Sequence, residues 1–450
     1  MHHRIVSVLR RLQNAPAQQL DRPEILDACR QVQHTWRSCL LDPVALIHLF
    51  LTQILHGNTA ITHLVRISGL SFTSSAYCQA RSRLPLALFQ ELLRRVAARI
   101  RPAIDDAGKW LGHRVFVADG SSFSMPDTPE LQEHFGQPNI QQPGCGFPVA
   151  HLLALFHVGT GMLTEILTAP LCTHDMSGVA QLHPQLRAGD VLLGDRGFCS
   201  FAHLALLVAR GAHGVFRIHQ RQIVDFTPHR THARPGQKNA PRGLPRSRWL
   251  RGLGLTDQVV AWLKPAARPD GMTAEQYASL PAELIVRELR YRTGRAGFRV
   301  REVTLVTTLG DADLYPLEEL AELYRKRWEV EGNLKNLKIT MKMDVLRCET
   351  VAGVSKELLM FALVYNLVRV VMLEAARRQG VAVDRISFVD ALRWLCEARP
   401  GVALPRLVVN PDRADRAEPR VRKRRPKQYP LMTKPRSELH KALLEKKVAA

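Results

Sequence analysis

The sequence predicts a mixed α/β protein in which a strand-bearing core follows a helical N-terminal domain and is interrupted by a basic, β-rich insertion. Three observations predict it. Apolar residues recur at three- and four-residue steps from Asp42 to about Ile104, which is the period of an amphipathic helix. The period then shortens to the continuous and alternating runs of strands in HRVFVADGSSF, AHLLALFHVGTGMLTEILTAP and DVLLGDRGF. Between Phe216 and Glu302 the composition shifts to Arg, Pro and Gly around short β-like runs, with 17 Lys and Arg against 7 Asp and Glu.

Taken in order, ALIHLFLTQIL and LALFQELLRRVAARI read as helices of a small N-terminal unit. Arg81, Arg83, Arg94, Arg95 and Arg99 give that unit a DNA-binding reading, which stands level with a plain packing module. HRVFVADGSSF is expected to be a buried strand whose tip carries Asp119. Two strands follow, joined at Gly159-Thr160-Gly161. GVAQLHPQL suggests a helix, DVLLGDRGF a second buried strand ending at Asp195, and SFAHLALLVARG a helix stopped by Gly211. Strands alternating with helices imply an α/β layer. Beyond the insertion, DQVVAWL, ELIVRELRY and FRVREVTLVTTL being its strands, one long helix is expected from about Leu317 past Lys338 and another over roughly Lys356 to Gln379. The segment from Arg420 to Lys447 holds 11 basic and 2 acidic residues and reads as an extended or partly ordered arm.

A net charge of +22 draws polyanions, with nucleic acid the leading partner, although charge says nothing about fold. The eight cysteines form no Cys-x-x-Cys pair that could start a zinc site. The N-terminus has no secretory pattern, and the apolar run from Leu358 is broken by Asn366 and Arg369, so a buried helix suits it better than a membrane span. A cytoplasmic protein follows.

The chemistry centres on acids. In ELYRKRWEVEGNLKNLK, Tyr324, Arg327, Glu331 and Lys338 fall within an arc of roughly 60° on an ideal helix, lining up a phenol, a guanidinium, a carboxylate and an ammonium. Taken alone, that face reads more readily as a solvated surface held by ordinary ion pairs. Asp119 and Asp195 change the balance, because each follows an apolar strand and precedes glycine-containing sequence. Such carboxylates can converge at a sheet edge. Their all-oxygen donor set suits Mg²⁺ or Mn²⁺, and two such ions can activate an attacking hydroxyl and stabilise the leaving oxygen of a phosphodiester.

At this point the chain resembles the insertion sequence four family of bacterial DDE transposases. The family's helix signature, Tyr-(2)-Arg-(3)-Glu-(6)-Lys, is met by Tyr324, Arg327, Glu331 and Lys338, and AYCQARSRLP, ADGSSF, LLGDRGF and VFRI match further blocks in order. The resemblance covers most of the chain from about Ser75 to Arg369. It implies an RNase H-like catalytic core in two parts, 111–215 and 303–395, around the insertion at 216–302; the chain's own periodicity and charge add a helical N-terminal DNA-binding domain at 1–110 and a basic C-terminal arm at 396–450. It implies that Asp119, Asp195 and Glu331 are both catalytic and metal-holding, with two Mg²⁺ or Mn²⁺ ions. Tyr324, Arg327 and Lys338 would hold the DNA backbone near the element's end. The partners implied are double-stranded DNA, at the transposon ends and the target, and a second copy in the DNA complex. Relatives pass through a hairpin, and Trp328, Trp249 and Trp262 are candidates to stack on an extruded base, though a core role suits any single one better. His151, His157, His174, His183, Asp127 and Asp175 read as packing, loop or cap residues.

Two alternatives stand beside transposition: a metal-dependent nuclease on the same fold, and an inactive transposase-derived DNA-binding protein. The phosphate-holding helix argues against the first and the intact acids against the second. A glycosidase acid pair would leave both the charge and that helix unexplained.

Overall fold

The computed structural model describes residues 20–171, 178–230, 243–292, 302–397, 402–411 and 432–448. Five helices come first: α1 (Arg22–Gln31), α2 (Pro43–Leu55), α3 (Ile61–Ser68), α4 (Ser74–Arg83) and α5 (Leu86–Asp106). Asp42 starts α2 by accepting a hydrogen bond from Ala45 N at 2.8 Å, with Pro43 preset for the first turn. Nearly every residue of α2 is buried, so it is the internal strut of this region rather than a surface helix.

The sheet has nine strands in the order β3-β2-β1-β4-β5-β9-β8-β7-β6. Its first part joins β1 (Val115–Ser124), β2 (Val149–His157) and β3 (Leu163–Pro170) as an antiparallel meander. β4 (Val191–Gly194) then lies parallel to β1, and β5 (His213–Arg217) parallel to β4. The four residues of β4 are all buried, which is why the run reads as continuously apolar. Between β4 and β5 runs α7 (Phe201–Ala209), with Ser200 capping its start; α6 (Pro129–Phe135) lies between β1 and β2. GVAQLHPQL yields a short 3₁₀ helix, Ala180–Gln185, because Pro184 withholds an N–H from any longer α-helix.

The strands of the insertion do not form a sheet apart. β6 (Arg246–Gly254), β7 (Asp257–Leu263), β8 (Glu283–Arg292) and β9 (Glu302–Thr307) extend the same sheet, β9 pairing antiparallel with β5 through Val215↔Thr307. A short helix, α8 (Ala274–Ala278), separates β7 from β8. Charged groups are buried here in pairs: Arg287 bonds both oxygens of Asp257 and donates to Tyr315 O at 2.7 Å, tying β8 to the approach of the next helix. Trp262 is fully buried and donates from Nε1 to Glu288 at 2.8 Å, so it is a strut of the sheet and not a surface on which a base could stack.

The expected long helix from Leu317 is in fact segmented. α9 (Leu317–Arg325) passes into a 3₁₀ turn (Lys326–Trp328), then α10 (Glu329–Lys335), then a π-helical turn (Asn336–Thr340). Hydrophobic periodicity reports which face is buried and is blind to whether each N–H reaches back three, four or five residues. α11 (Val351–Gln379) follows, then α12 (Phe388–Glu397) and α13 (Arg436–Val448). Among the described residues α11 is the one helix long and apolar enough to cross a membrane, and 89% of its apolar window is buried inside the protein. Its polar interruptions are structural: Asn366 bonds Leu163 N (2.9 Å) and O (2.8 Å), Tyr365 donates to Gly161 O (2.9 Å), and Arg369 donates to Thr160 O (2.9 Å). Together they seal the β2–β3 turn, whose own groups would otherwise be buried unpaired. Glycine is required at 161, where φ is +64° and a Cβ would stand 2.0 Å from the Arg369 guanidinium. The arm's centre, RVRKRRPKQYP, lies outside the described residues, as do His174 and Asp175.

Candidate active site

β1 presents the first acid. Asp119 does not sit at the tip of this strand, as its Asp-Gly sequence suggested, but at its fifth position, paired with Ala154 of β2. The parallel pairing with β4 ends at Val117, however, so β1 runs on paired with β2 and Asp119 stands just past the end of its parallel neighbour. Asp195 follows the last residue of β4 and therefore emerges at the same edge. Its Oδ1 accepts from Gly197 N at 2.7 Å, which fixes the loop that turns toward α7. Gly194 is needed beneath it: a Cβ there would meet Phe198 and Phe216, both at 2.9 Å.

Helix α10 supplies the third acid. Glu331 is exposed and takes an ion pair from Arg327 at 3.5 Å, one turn earlier. The Arg327 guanidinium is nearly enclosed, lying 5.9 Å from the Tyr324 ring and 5.6 Å from the Trp328 ring, and its Nε is buried without a hydrogen-bond partner.

Electrostatics show what these groups feel. Burial pushes the Asp119 carboxyl up to about 6; the Gly120 N–H and Arg327 oppose this, while Asp195 and Glu331 add to it. The three acids and Arg327 thus act on one another across the edge of the sheet. They are not drawn into one ligand shell: among the described residues no group of three or more His, Cys, Asp or Glu is arranged to hold a metal.

The remaining signature residues are placed differently. Tyr324 is buried, 2% exposed, beneath Arg327, and burial raises its hydroxyl far above the ordinary tyrosine range. Lys338 lies in the π turn and donates to Ser121 Oγ at 2.9 Å, its ammonium lowered by burial. Ser121 was missed in the sequence, yet it stands two residues after Asp119 on the same face of a strand, where alternation would have found it. Arg217 was missed as well. It ends β5, whose middle residues Gly214, Val215 and Phe216 are buried, and burial lowers its guanidinium, helped by Arg196 and Arg327, with the Tyr324 and Tyr291 phenols nearby. An arginine closing a buried strand was the available signal.

His157 and His183 are packing residues. His157 contacts the Phe116 ring at 5.3 Å and bonds Thr160, while His183 stacks on His203 at 5.0 Å. Asp127 accepts from Gln132 and Arg436, a loop role. Trp249 lies against His229 at 4.6 Å.

Comparison with known sequences gives the class of protein. A family profile described as "Transposase DDE domain" matches residues 110–367, more than half of the chain, and takes in all three acids and the whole Tyr-Arg-Glu-Lys helix. The chain belongs to this DDE transposase family and, within it, to the insertion sequence four family. It is 28% identical over 390 residues to the transposase InsG for insertion sequence element IS4 of Escherichia coli (strain K12), covering 80% of this chain and 78% of that protein. A putative transposase InsZ of the same strain is 35% identical over 126 residues, which cover 25% of this chain and 41% of that one. The solved piggyBac transposase synaptic complex with hairpin DNA is 10% identical, with a TM-score of 0.42 over 83% of this chain and 75% of that one.

Proposed function

We propose that this transposase binds the inverted repeats of its element as double-stranded DNA, cleaves at the element's ends through a hairpin, and joins them to target DNA, working as a homodimer in the DNA complex. In this reading the catalytic residues are Asp119, Asp195 and Glu331, and the core is RNase H-like. What supports it is that Asp119 and Asp195 leave β1 and β4 at the same edge of the sheet, with Arg327 and Glu331 close enough to act electrostatically on Asp119. The three-strand meander followed by parallel β4 and β5 supports the same reading.

The donor set fits divalent Mg²⁺ or Mn²⁺, since it is all oxygen and Asp119 lies desolvated beside two further carboxylates. Asp119, Asp195 and Glu331 would hold two ions, Glu331 turning away from Arg327 to do so. Bound there, the ions would supply Lewis acidity to the attacking and leaving oxygens. The protein's own groups have separate tasks. Arg327, whose Nε is unpaired, is positioned to donate to a phosphate oxygen once Glu331 leaves it. Arg217 and Arg196, the latter donating to Gln220, add positive charge near Arg327. Tyr324 holds the Arg327 guanidinium from beneath and Lys338 reaches a phosphate from its place against Ser121.

The test incubates purified protein with labelled DNA carrying the repeats that flank its gene, in Mg²⁺ and in EDTA. Nicking at the repeat boundary that needs Mg²⁺, followed by a hairpin product, is the expected result, with Asp195→Ala binding the DNA but not cutting it. Indiscriminate cutting, or full activity of that variant, would overturn the reading.

A further inference from the structure

The helix that presents Glu331 on one face presents a second set of polar groups on the other. Lys326, Glu329, Asn333 and Asn336 follow one another at steps of three and four residues, and Glu329, two residues from Glu331, points roughly 160° away from it on an ideal helix. These four line a cavity of about 660 Å³, bounded further by the start of β1, the β2–β3 turn, α11 and the segment from Ala382 to Val389. That volume lies within the roughly 300–1000 Å³ that enclose a whole small molecule. Val115, Leu323, Met372 and Phe388 give the cavity a buried apolar wall.

The charges around it are placed unequally. Arg369 lines the cavity and is only 5% exposed. Its Nε and Nη2 seal the β2–β3 turn by donating to Thr160 O, but Nη1 has only the Met372 thioether, at 3.7 Å, and among the described residues no carboxylate stands within ion-pair distance. A thioether is a weak acceptor, and a guanidinium cannot shed its proton, so a buried one calls for an anion. The rim has the opposite sign. Glu329 and Asp384 are exposed there and repel one another, a repulsion tempered by Lys326, Arg325 and Arg369. Neither acid makes a hydrogen bond or ion pair among the described residues. Exposed acids alone would be an ordinary solvated surface; what sets these apart is the unneutralised guanidinium inside the same cavity.

We propose that this cavity binds a small zwitterion with an apolar body, its carboxylate against Arg369 Nη1 and its ammonium between Glu329 and Asp384. The carboxylate supplies both the acceptor and the charge that the guanidinium lacks, and methylenes cover the apolar wall. Simpler ligands are disfavoured at one end or the other: a plain carboxylate meets two acids at the rim, and a plain amine meets Arg369 inside. The site is separate from Asp119, Asp195 and Glu331, and it does not depend on the transposase reading.

Titration calorimetry of the full-length protein with ε-aminohexanoate, hexanoate and hexylamine tests the proposal. ε-Aminohexanoate should bind at least about tenfold more tightly than either of the others, each of which forgoes one charged contact. Asp384→Asn should weaken ε-aminohexanoate by about 2- to 5-fold, the worth of an exposed charge pair, without weakening hexanoate. Gly332 lines the mouth, and a Cβ there would meet nothing within 4 Å, so Gly332→Trp puts an indole into open space. That variant should lose binding while its thermal melt matches the parent's. Asp384 and Gly332 are both exposed, so neither change disturbs the core. The proposal is overturned by the absence of saturable ε-aminohexanoate binding, by hexanoate binding as tightly, or by undiminished binding in Gly332→Trp.

Discussion

Asp190→Ala should be the most damaging single change outside the acids themselves. Asp190 is 3% exposed and accepts from Arg114 Nε (2.8 Å) and Nη2 (2.6 Å) and from Arg187 N (2.7 Å). It stands one residue before β4, and Arg114 one residue before β1, so the pair clasps the starts of the two strands that carry Asp119 and Asp195. Removing it deletes three hydrogen bonds and leaves a buried guanidinium short of charge, a loss of about 3–5 kcal/mol. Arg114 keeps one partner, Asp105 at 2.7 Å, which places the expected value at about 3 to 4 kcal/mol. Against a total of roughly 5–15 kcal/mol this is a large fraction. The control is Asp105→Ala. Asp105 is about a third exposed and pairs with both Arg114 and Arg187, so its loss should cost no more than about 1 kcal/mol. Urea unfolding followed by circular dichroism measures both. A cost below about 1 kcal/mol for Asp190→Ala, or equal costs for the two variants, would refute the assignment of a buried clasp.

Three further outcomes follow from the same geometry. Lys338→Met should weaken binding to an end duplex and reduce its salt slope by about 1, read from affinities at several ionic strengths; an unchanged slope would remove Lys338 from the phosphate contacts. Gly194→Ala should destabilise by about 1–3 kcal/mol in urea, because the new methyl collides with Phe198 and Phe216; a neutral result would mean those rings move freely. Burial lowers His157 and His183 to about 4 and His203 to about 3, so each stays neutral in the fold while the unfolded chain takes up protons below about 6.5. Their contribution to stability is whole above that pH and is lost as pH falls toward 4, about 2–3 kcal/mol for His157 alone by pH 4.5. His157→Gln should flatten the stability profile over that window, and an unchanged slope would count against the burial account.

Much of this site could be read in the chain because its parts are local. A buried strand announces itself by an apolar run, and Asp195 directly after VLLG is a placement that needs no tertiary information. Asp119 was harder, since where β1 outruns its parallel neighbour depends on the length of β4, a strand about 76 residues away by the spacing of Val117 and Leu193. The union of the insertion with the core sheet was hidden for the same reason, as nothing in either sequence tells Val215 that Thr307 lies beside it. The buried Tyr324 and the bond from Lys338 to Ser121 depend on how α9 and α10 lie on the sheet, and a helical wheel holds only one of the two surfaces that meet.

The broken helix bearing Glu331 has a consequence for how the chain tolerates change. A 3₁₀ turn advances the winding and a π turn retards it, so the segments on either side of α10 act as opposed corrections of phase. With the corrections where they fall, Arg327 reaches Glu331 and Lys338 reaches Ser121. Point substitutions on the outer surface of this helix leave the phase alone. Losing or gaining one residue between Lys326 and Thr340 would swing everything downstream by about 100°, carrying Lys338 away from the sheet. For this stretch the spacing of residues is under tighter constraint than most of their identities, which makes length the quantity to preserve when the protein is re-engineered.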